Sequence, residues 1–384
     1  MVWHAKRDIA LCVTLCGIVT WQRLPFVRCL GIDINGDIWR RDIRIDEIRG
    51  IDRTERRQRK PYRQAVGTYQ YCGNLTALTA ILGTAGNYAE LTNMATTFFA
   101  QGGAVGLYVL ELGTQTSPTP SALGTWDAAN PGIFYAYLVP ADWDGTAMQT
   151  LAASYASNTG LKYFFVTTTQ TTITDYAGTK SVFPFVNAPA MGSSELDAAS
   201  AFYQLLANNP SPSNKLAPMA YRQLFGTTPW PATGQSSALQ SILSNFGNIS
   251  YPMNQAGLTG AGLWKGTLAN GTQASFWYGI DWLNVNINQA IANAVVNGSN
   301  GNPPLLYNQA GINTLLAAAE AVADTGVQSG CALSATITAV PFSTYVSQFP
   351  DNYAAGIYDG LSATVVGQSG FLTVTFNLNA TQFA

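Results

Sequence analysis

Three runs of this chain are apolar at nearly every position instead of every second one: 133–139 (IFYAYLV), 163–168 (YFFVTT) and 182–186 (VFPFV). A strand with one wet face alternates apolar and polar residues, so a strand that does not alternate must be covered on both faces. Helical patterns stand between and after these runs. One spans 146–157, with Leu151 and Tyr155 inward. Another, capped by Ser194, carries Leu196, Ala199, Phe202 and Leu206 on one face. Leu239, Ile242, Leu243 and Phe246 mark a third, and 216–221 and 249–253 read as further strands. Repeated strand–helix units with continuous apolar strands predict a largely parallel sheet under helices.

The flanks read differently. Upstream, Asn87 with Glu90 three residues on forms a capping box for a helix whose apolar face is Tyr88, Leu91, Ala95, Phe98 and Phe99. Gly102-Gly103 ends it, a buried strand follows at 105–112, and 114–131 is a Pro/Ser/Thr-rich loop. Downstream, Asn270-Gly271 predicts a hairpin between 263–268 and 273–278. Asp281 then precedes a helix with Leu283, Ile287, Ile291 and Val295 on one face, closed by Asn297-Gly298. A second helix carries Ile312, Leu315, Leu316, Ala319 and Val322. A hairpin around 367–370 leads to a last strand that alternates cleanly, with Leu372, Val374, Phe376 and Leu378 on one side and Thr373, Thr375, Asn377 and Asn379 on the other.

Charge is scarce and uneven. Only 10% of the 384 residues are charged, against about a quarter in an ordinary domain, while 47% are hydrophobic and 11% aromatic, which favours packed structure over disorder. Residues 1–63 hold 14 of the 19 Lys and Arg and 8 of the 21 Asp and Glu, so 64–384 keeps 5 basic and 13 acidic residues. A basic block of this kind can be a solvated or disordered segment, a nucleic-acid patch, or sequence read from a wrong start. The run 9–21 after Lys6 and Arg7 mimics a signal peptide but is too short to span a bilayer, and Arg23 interrupts it. Five scattered cysteines, Cys12, Cys16, Cys29, Cys72 and Cys331, form neither a disulfide framework nor a metal knuckle.

Candidate chemistry dissolves residue by residue. The single histidine, His4, leaves the body without His-based triads, His–Cys dyads or most zinc sites. Asp324-Thr325-Gly326 matches an aspartic-protease tripeptide but occurs once, at the end of an Ala-rich helix. Asp33–Asp37 opens like a calcium loop, yet Ile38 and Arg44 stand where the glycine and closing glutamate are needed. Gly178-Thr-Lys180-Ser181 lacks the upstream glycine of a phosphate loop, and Gly367-Gln-Ser369-Gly370 resembles a nucleophile elbow that no histidine serves. Asp142 and Asp144 read as turn formers. Trp230, Trp264, Trp277 and Trp282 could form a sugar-stacking platform, although core packing is the commoner use.

Two segments resemble contractile phage tail sheath subunits. Phe98-Phe-Ala-Gln-Gly102-Gly103 followed by Leu107-Tyr-Val-Leu-Glu-Leu112 is similar to one sheath motif. Phe349-Pro-Asp-Asn-Tyr353-Ala-Ala-Gly356-Ile-Tyr358-Asp-Gly360, then Gly370-Phe371-Leu-Thr-Val-Thr-Phe376, is similar to the C-terminal one. The resemblance covers roughly 66–384 and implies a mixed α/β and α+β fold. Its parts would be an atypical basic segment at 1–64, the N-terminal part of a sheath core at 65–131, an inserted outer α/β domain with a mostly parallel sheet at 132–255, and a C-terminal core at 256–384 ending in a β-hairpin. It implies a virion structural protein, not an enzyme, that polymerises around a tail tube and contracts during genome delivery, after assembly in the host cytoplasm. Its partners would be further copies of itself, the tail tube protein, and baseplate and tail terminator proteins, with no nucleic acid, membrane, cofactor or metal. Phe371, Leu372, Val374, Phe376 and Leu378 would carry self-assembly by strand exchange, with Gly102, Gly103, Tyr353, Gly356, Tyr358 and Gly360 as family motif positions. Two other classes stay open: a secreted or surface carbohydrate-binding, adhesin-like protein, and a hydrolase using Asp142 or Asp324.

Overall fold

The computed structural model describes residues 7–13, 66–82, 89–114, 120–156, 162–189, 196–231, 233–253 and 260–372. In chain order the elements are β1 (Arg7–Val13), β2 (Tyr69–Cys72), α1 (Leu75–Leu82), α2 (Ala89–Ala100), β3 (Leu107–Thr114), α3 (Ser121–Ala129), β4 (Ala136–Leu138), α4 (Thr146–Ser154), β5 (Tyr163–Thr168), β6 (Val182–Val186), α5 (Ala198–Leu206), β7 (Gln223–Leu224), α6 (Ser236–Ser244), β8 (Ile249–Pro252), β9 (Ala261–Trp264), α7 (Ala274–Ser299), α8 (Gln309–Gln328), β10 (Ala332–Ala339), α9 (Phe342–Gln348), α10 (Pro350–Ala354) and β11 (Leu361–Gly367).

The fold is mixed α/β. A six-stranded sheet runs β2-β3-β1-β4-β5-β6. Its β4, β5 and β6 are parallel, as the unbroken apolar runs require, and β1 pairs antiparallel with both β3 and β4. Strand period sorts the side chains into two cores. Tyr163 and Phe165 of β5, with Phe183 and Phe185 of β6, meet Leu91 and Phe98 of α2 and Phe202 of α5. Phe164, Val166 and Val182 face the other way, onto Leu123 and Trp126 of α3 and Met148 and Ala152 of α4. Strands from both sides of residue 131 therefore share one sheet, and the strand joining them, β1, comes from the basic N-terminal stretch.

Asn248 couples this sheet to the next. Its backbone N–H donates to Pro184 O (3.0 Å), and Val186 N–H donates to Asn248 O (2.9 Å), which sets Asn248 beside Phe185 as a one-residue parallel bridge on the outer edge of β6. Its fully buried carboxamide donates to Pro184 O (3.0 Å) and Thr267 O (2.7 Å) and accepts from Thr267 N–H (2.8 Å). Pro184 is tolerated because β6 is an edge strand. Asn248 leads into the antiparallel sheet β7-β9-β8, and beyond it β10 and β11 pair antiparallel across helices α7 and α8.

Four expectations change. The 114–131 loop contains α3, whose Leu123 and Trp126 are buried; Gly124, which reads as a loop residue, is where Leu151 of α4 comes close. Residues 216–221 form no strand: Leu216 N–H donates to Ser329 O (2.8 Å), and Tyr221 turns into the left-handed region at φ 62°. The Asn270-Gly271 turn exists, with Gly271 at φ 84° and Thr267 bridged to Gln273, but the second arm is helix from Ala274 onward. That helix absorbs Asp281 as an interior residue and runs past Asn297-Gly298 to Ser299. β10, absent from the sequence reading, hides in an Ala/Ser/Thr-rich run of weak contrast (ALSATITA).

Replacing Asn248 by Ala leaves the Thr267 N–H and O and one bond to Pro184 O without their buried partner. We expect a loss of about 3 kcal/mol in urea unfolding, while Asn288→Ala on an exposed turn of α7 changes stability by less than about 0.5 kcal/mol.

Candidate functional site

The surface on which the C-terminal sequence signals converge is built from α7, α8, β10 and β11. Among the described residues β11 pairs only with β10, and no described strand covers its other edge. Beside it, α7 carries a stripe at helical spacing, Trp277, Ile280, Asn284, Ile287 and Ile291. This stripe, with Ile337 of β10 and Leu361 and Val365 of β11, lines a groove of about 670 Å³. Asp281, Asn284, Asn288 and Asp359 supply its polar positions. The arrangement suits an extended segment: backbone hydrogen bonds along the β11 edge and apolar side chains every second residue.

The turn from β10 to β11 is fixed by aromatic hydroxyls. Tyr345 is fully buried and donates to Asp359 Oδ1 (2.5 Å), while Tyr358 donates to Val340 O (2.6 Å) and Tyr307 to Ile357 O (2.6 Å). The C-terminal motif residues sit here. Tyr353 is 40% exposed against the Tyr307 ring (5.0 Å), Gly356 follows α10 at φ 72°, and a Cβ on Gly360 would press on the Tyr358 ring. The other motif pair lies elsewhere, after α2. Gly102, at φ 151°, leaves room for the Tyr203 hydroxyl, which accepts from Ala104 N–H (3.2 Å), and Gly103 touches nothing that demands glycine. Of the expected assembly residues, Phe371 is 80% exposed and Leu372 half-buried; Val374, Phe376 and Leu378 lie outside the described residues.

One charged group joins this surface to the large sheet, and sequence reading missed it by taking Asp281 for a residue preceding the helix. Asp281 Oδ2 accepts from Tyr135 OH (2.7 Å) and Tyr163 OH (2.9 Å). Burial pushes its carboxyl above the usual carboxylate range, against the opposing pull of the two hydroxyls and the Lys180 ammonium. Lys180 itself stands over the Trp277 ring at 4.8 Å.

The remaining polar clusters are closed. Lys162 Nζ meets Asp127 Oδ1 at 2.6 Å and Phe134 O at 3.1 Å, and Tyr137 OH also donates to Asp127. Asp144 accepts from Thr168, Thr172 and Tyr176 hydroxyls, a loop-fixing role, and Asp324 is exposed on α8. Trp230 and Trp282 are buried in separate cores, so the four tryptophans form no shared platform. Cys72 and Cys331 are buried thiols, the latter pushed by desolvation to about 12. Among the described residues no group of three or more His, Cys, Asp or Glu is placed to hold a metal ion, and no helix is long and apolar enough to cross a membrane.

No protein-family model matches the chain, and no curated protein sequence matches it. Among solved structures it is similar to a chain in the "Cryo-EM structure of the anti-feeding prophage (AFP) baseplate, 6-fold symmetrised". The TM-score is 0.58 at 11% identity, over 83% of this chain and 89% of that one. At such identity the likeness is one of fold, and its coverage extends well beyond the large sheet and its helices.

The buried carboxyl gives a pH signature. A carboxyl whose folded pKa is raised adds stability below the unfolded value of about 3.9, and that stability is lost as pH rises through the folded value. Asp281→Asn keeps an acceptor for Tyr135 and Tyr163 without the charge. Its melting temperature relative to the native chain should therefore rise as the pH is raised from about 4 toward neutrality, levelling off above the folded value. A difference that stays flat across that range means that Asp281 titrates as an ordinary carboxylate.

Proposed function

We propose that the chain is a structural subunit of a phage-tail-like particle, of the contractile sheath type, that assembles with copies of itself by strand addition. The observation that carries this reading is the β11 edge, covered by no described strand, beside an apolar groove, in a fold similar to a chain of a prophage baseplate. The alternating C-terminal segment is the occupant. Leu372, Val374, Phe376 and Leu378 of one copy would face the groove of the next while its backbone pairs with β11. Residues 266–384 contain no Lys, Arg or His, so neither edge nor segment carries the positive charge that natural sheets use to repel a further strand.

In this reading 256–384 is the assembling core, and 132–255 faces outward. Contacts that do not close on themselves propagate as an open helix around a tube. Contraction then exchanges one set of subunit contacts for a better one while the strand links persist, without catalysis by the subunit. Tube, baseplate and terminator proteins would bound the helix.

The baseplate origin of the structural neighbour favours a second reading, a subunit of a closed ring at the tail end. Assembly symmetry separates the two: open tubes in negative-stain electron microscopy mark a sheath, and rings of fixed number mark a baseplate component. In either case deleting 373–384 should leave the melting temperature within a few degrees and abolish assembly. Unchanged tubes or rings from the shortened chain would refute strand addition by this segment.

A further inference from the structure

We propose that Gln273 and Tyr221 form a dock that fixes where, and in which direction, the C-terminal segment leaves the fold. The inference rests on the self-assembly reading above and assigns positioning residues to it.

Three stretches far apart in sequence meet at the end of β11. Gln273 stands in extended conformation just before α7, and its side-chain amide treats Gly370 as a strand neighbour would. Nε2 donates to Gly370 O (2.8 Å), and Gly370 N–H donates to Oε1 (2.8 Å). Two residues on, Tyr221 OH donates to Leu372 O (2.5 Å). Tyr221 achieves this from a left-handed backbone, φ 62°, that non-glycine residues rarely adopt. Its N–H is held by Leu263 O (2.8 Å), and its ring lies edge-on to Trp264 at 5.6 Å.

The approach is close enough to demand glycine. A Cβ on Gly370 would collide with Pro218, and one on Gly367 with the Phe276 ring. The Gly367-Gln-Ser369-Gly370 sequence thus has a geometric role in place of the nucleophile elbow it resembles.

Core burial does not explain this arrangement. Ser369 and Phe371 are exposed and Leu372 only half-buried, and Phe371 is turned into solvent at 80% exposure. What three hydrogen bonds and two glycines achieve is a fixed direction. A segment launched from a rigid point gives up less freedom when it enters a neighbour than one launched from a loose chain, and it meets that neighbour at one angle. The dock therefore sets both the strength and the regularity of assembly.

The test uses the full chain, with Gln273→Ala, Tyr221→Phe and the double variant. Tyr221→Phe removes one oxygen from a partly exposed residue, so folding is retained even if Gln273→Ala proves destabilising. At concentrations below assembly, hydrogen exchange of the 368–372 amides should quicken in each variant. The critical concentration for pelletable assemblies should rise on the order of tenfold, with mixed geometries in electron micrographs where the native chain gives one. Faster exchange with unchanged critical concentration and uniform geometry overturns the dock's role and leaves strand addition standing. Unchanged exchange overturns the dock itself. A native chain that stays monomeric at high concentration overturns the self-assembly reading, and the dock's role with it.

Discussion

The fold depends on the buried side chain of Asn248. The six-stranded sheet ends at β6 and the three-stranded sheet begins at β8, and Asn248 is the residue where one ladder passes into the other. A carboxamide can do this because it carries a donor and an acceptor in one plane, like a peptide group, and can pair with backbone without bringing in a charge. The same device recurs. Gln101 donates to Phe225 O (2.5 Å) and accepts from Phe225 N–H (2.9 Å), tying the end of α2 to β7, and Gln273 pairs with Gly370 in the same two-way manner. In a chain with 10% charged residues, amides hold distant segments together where other proteins use ion pairs. The desolvation cost is smaller than for a buried charge, and the geometry is as directional.

Hydroxyls gather around three of the acidic side chains. Asp127 has Lys162 and Tyr137, Asp144 has two threonines and Tyr176, and Asp281 has Tyr135 and Tyr163. A fully formed pair such as Lys162–Asp127 contributes little net stability, but removing one partner leaves the other stranded at a cost of about 3–5 kcal/mol. These sites therefore act as constraints on arrangement more than as sources of stability. Asp281 has a particular place among them because it ties α7, which forms the groove, to β5 of the large sheet through Tyr163.

Much of the large sheet was legible in the sequence. The strands 163–168 and 182–186 coincide with β5 and β6 because burial on both faces writes a continuous apolar run. The helices at α2, α4, α5, α6 and α8 were legible through one-sided apolar spacing. What failed has two causes: long-range contact overrode the local signal, or the local signal was too weak to read. Gly124 and Pro120 spell a loop until α4 is known to pack there. Asn270-Gly271 does make its turn, but Ala274 N–H donates to Gly266 O (3.1 Å) and starts a helix. β10 was invisible because Ala, Ser and Thr give little contrast between faces. The groove and the Gln273–Gly370 pair could not be read at all, since each joins residues that only the tertiary fold brings together.

The edges of the sheets bear on what this surface is for. β6 carries Pro184, which cannot donate, at its centre, and Asn248 already bridges the neighbouring Phe185. β2 is four residues long, and β7 is two. Each of these edges is short or capped, the usual protection against unwanted pairing. The two-stranded sheet differs: β10, eight residues long (ALSATITA), and β11, seven (LSATVVG), carry neither proline nor charge, and β11 runs beside an apolar groove. An edge of that length and composition is a liability in a protein that stays alone. It is tolerable where another strand covers it, and the cleanly alternating segment that follows Leu372 has the pattern such a cover needs.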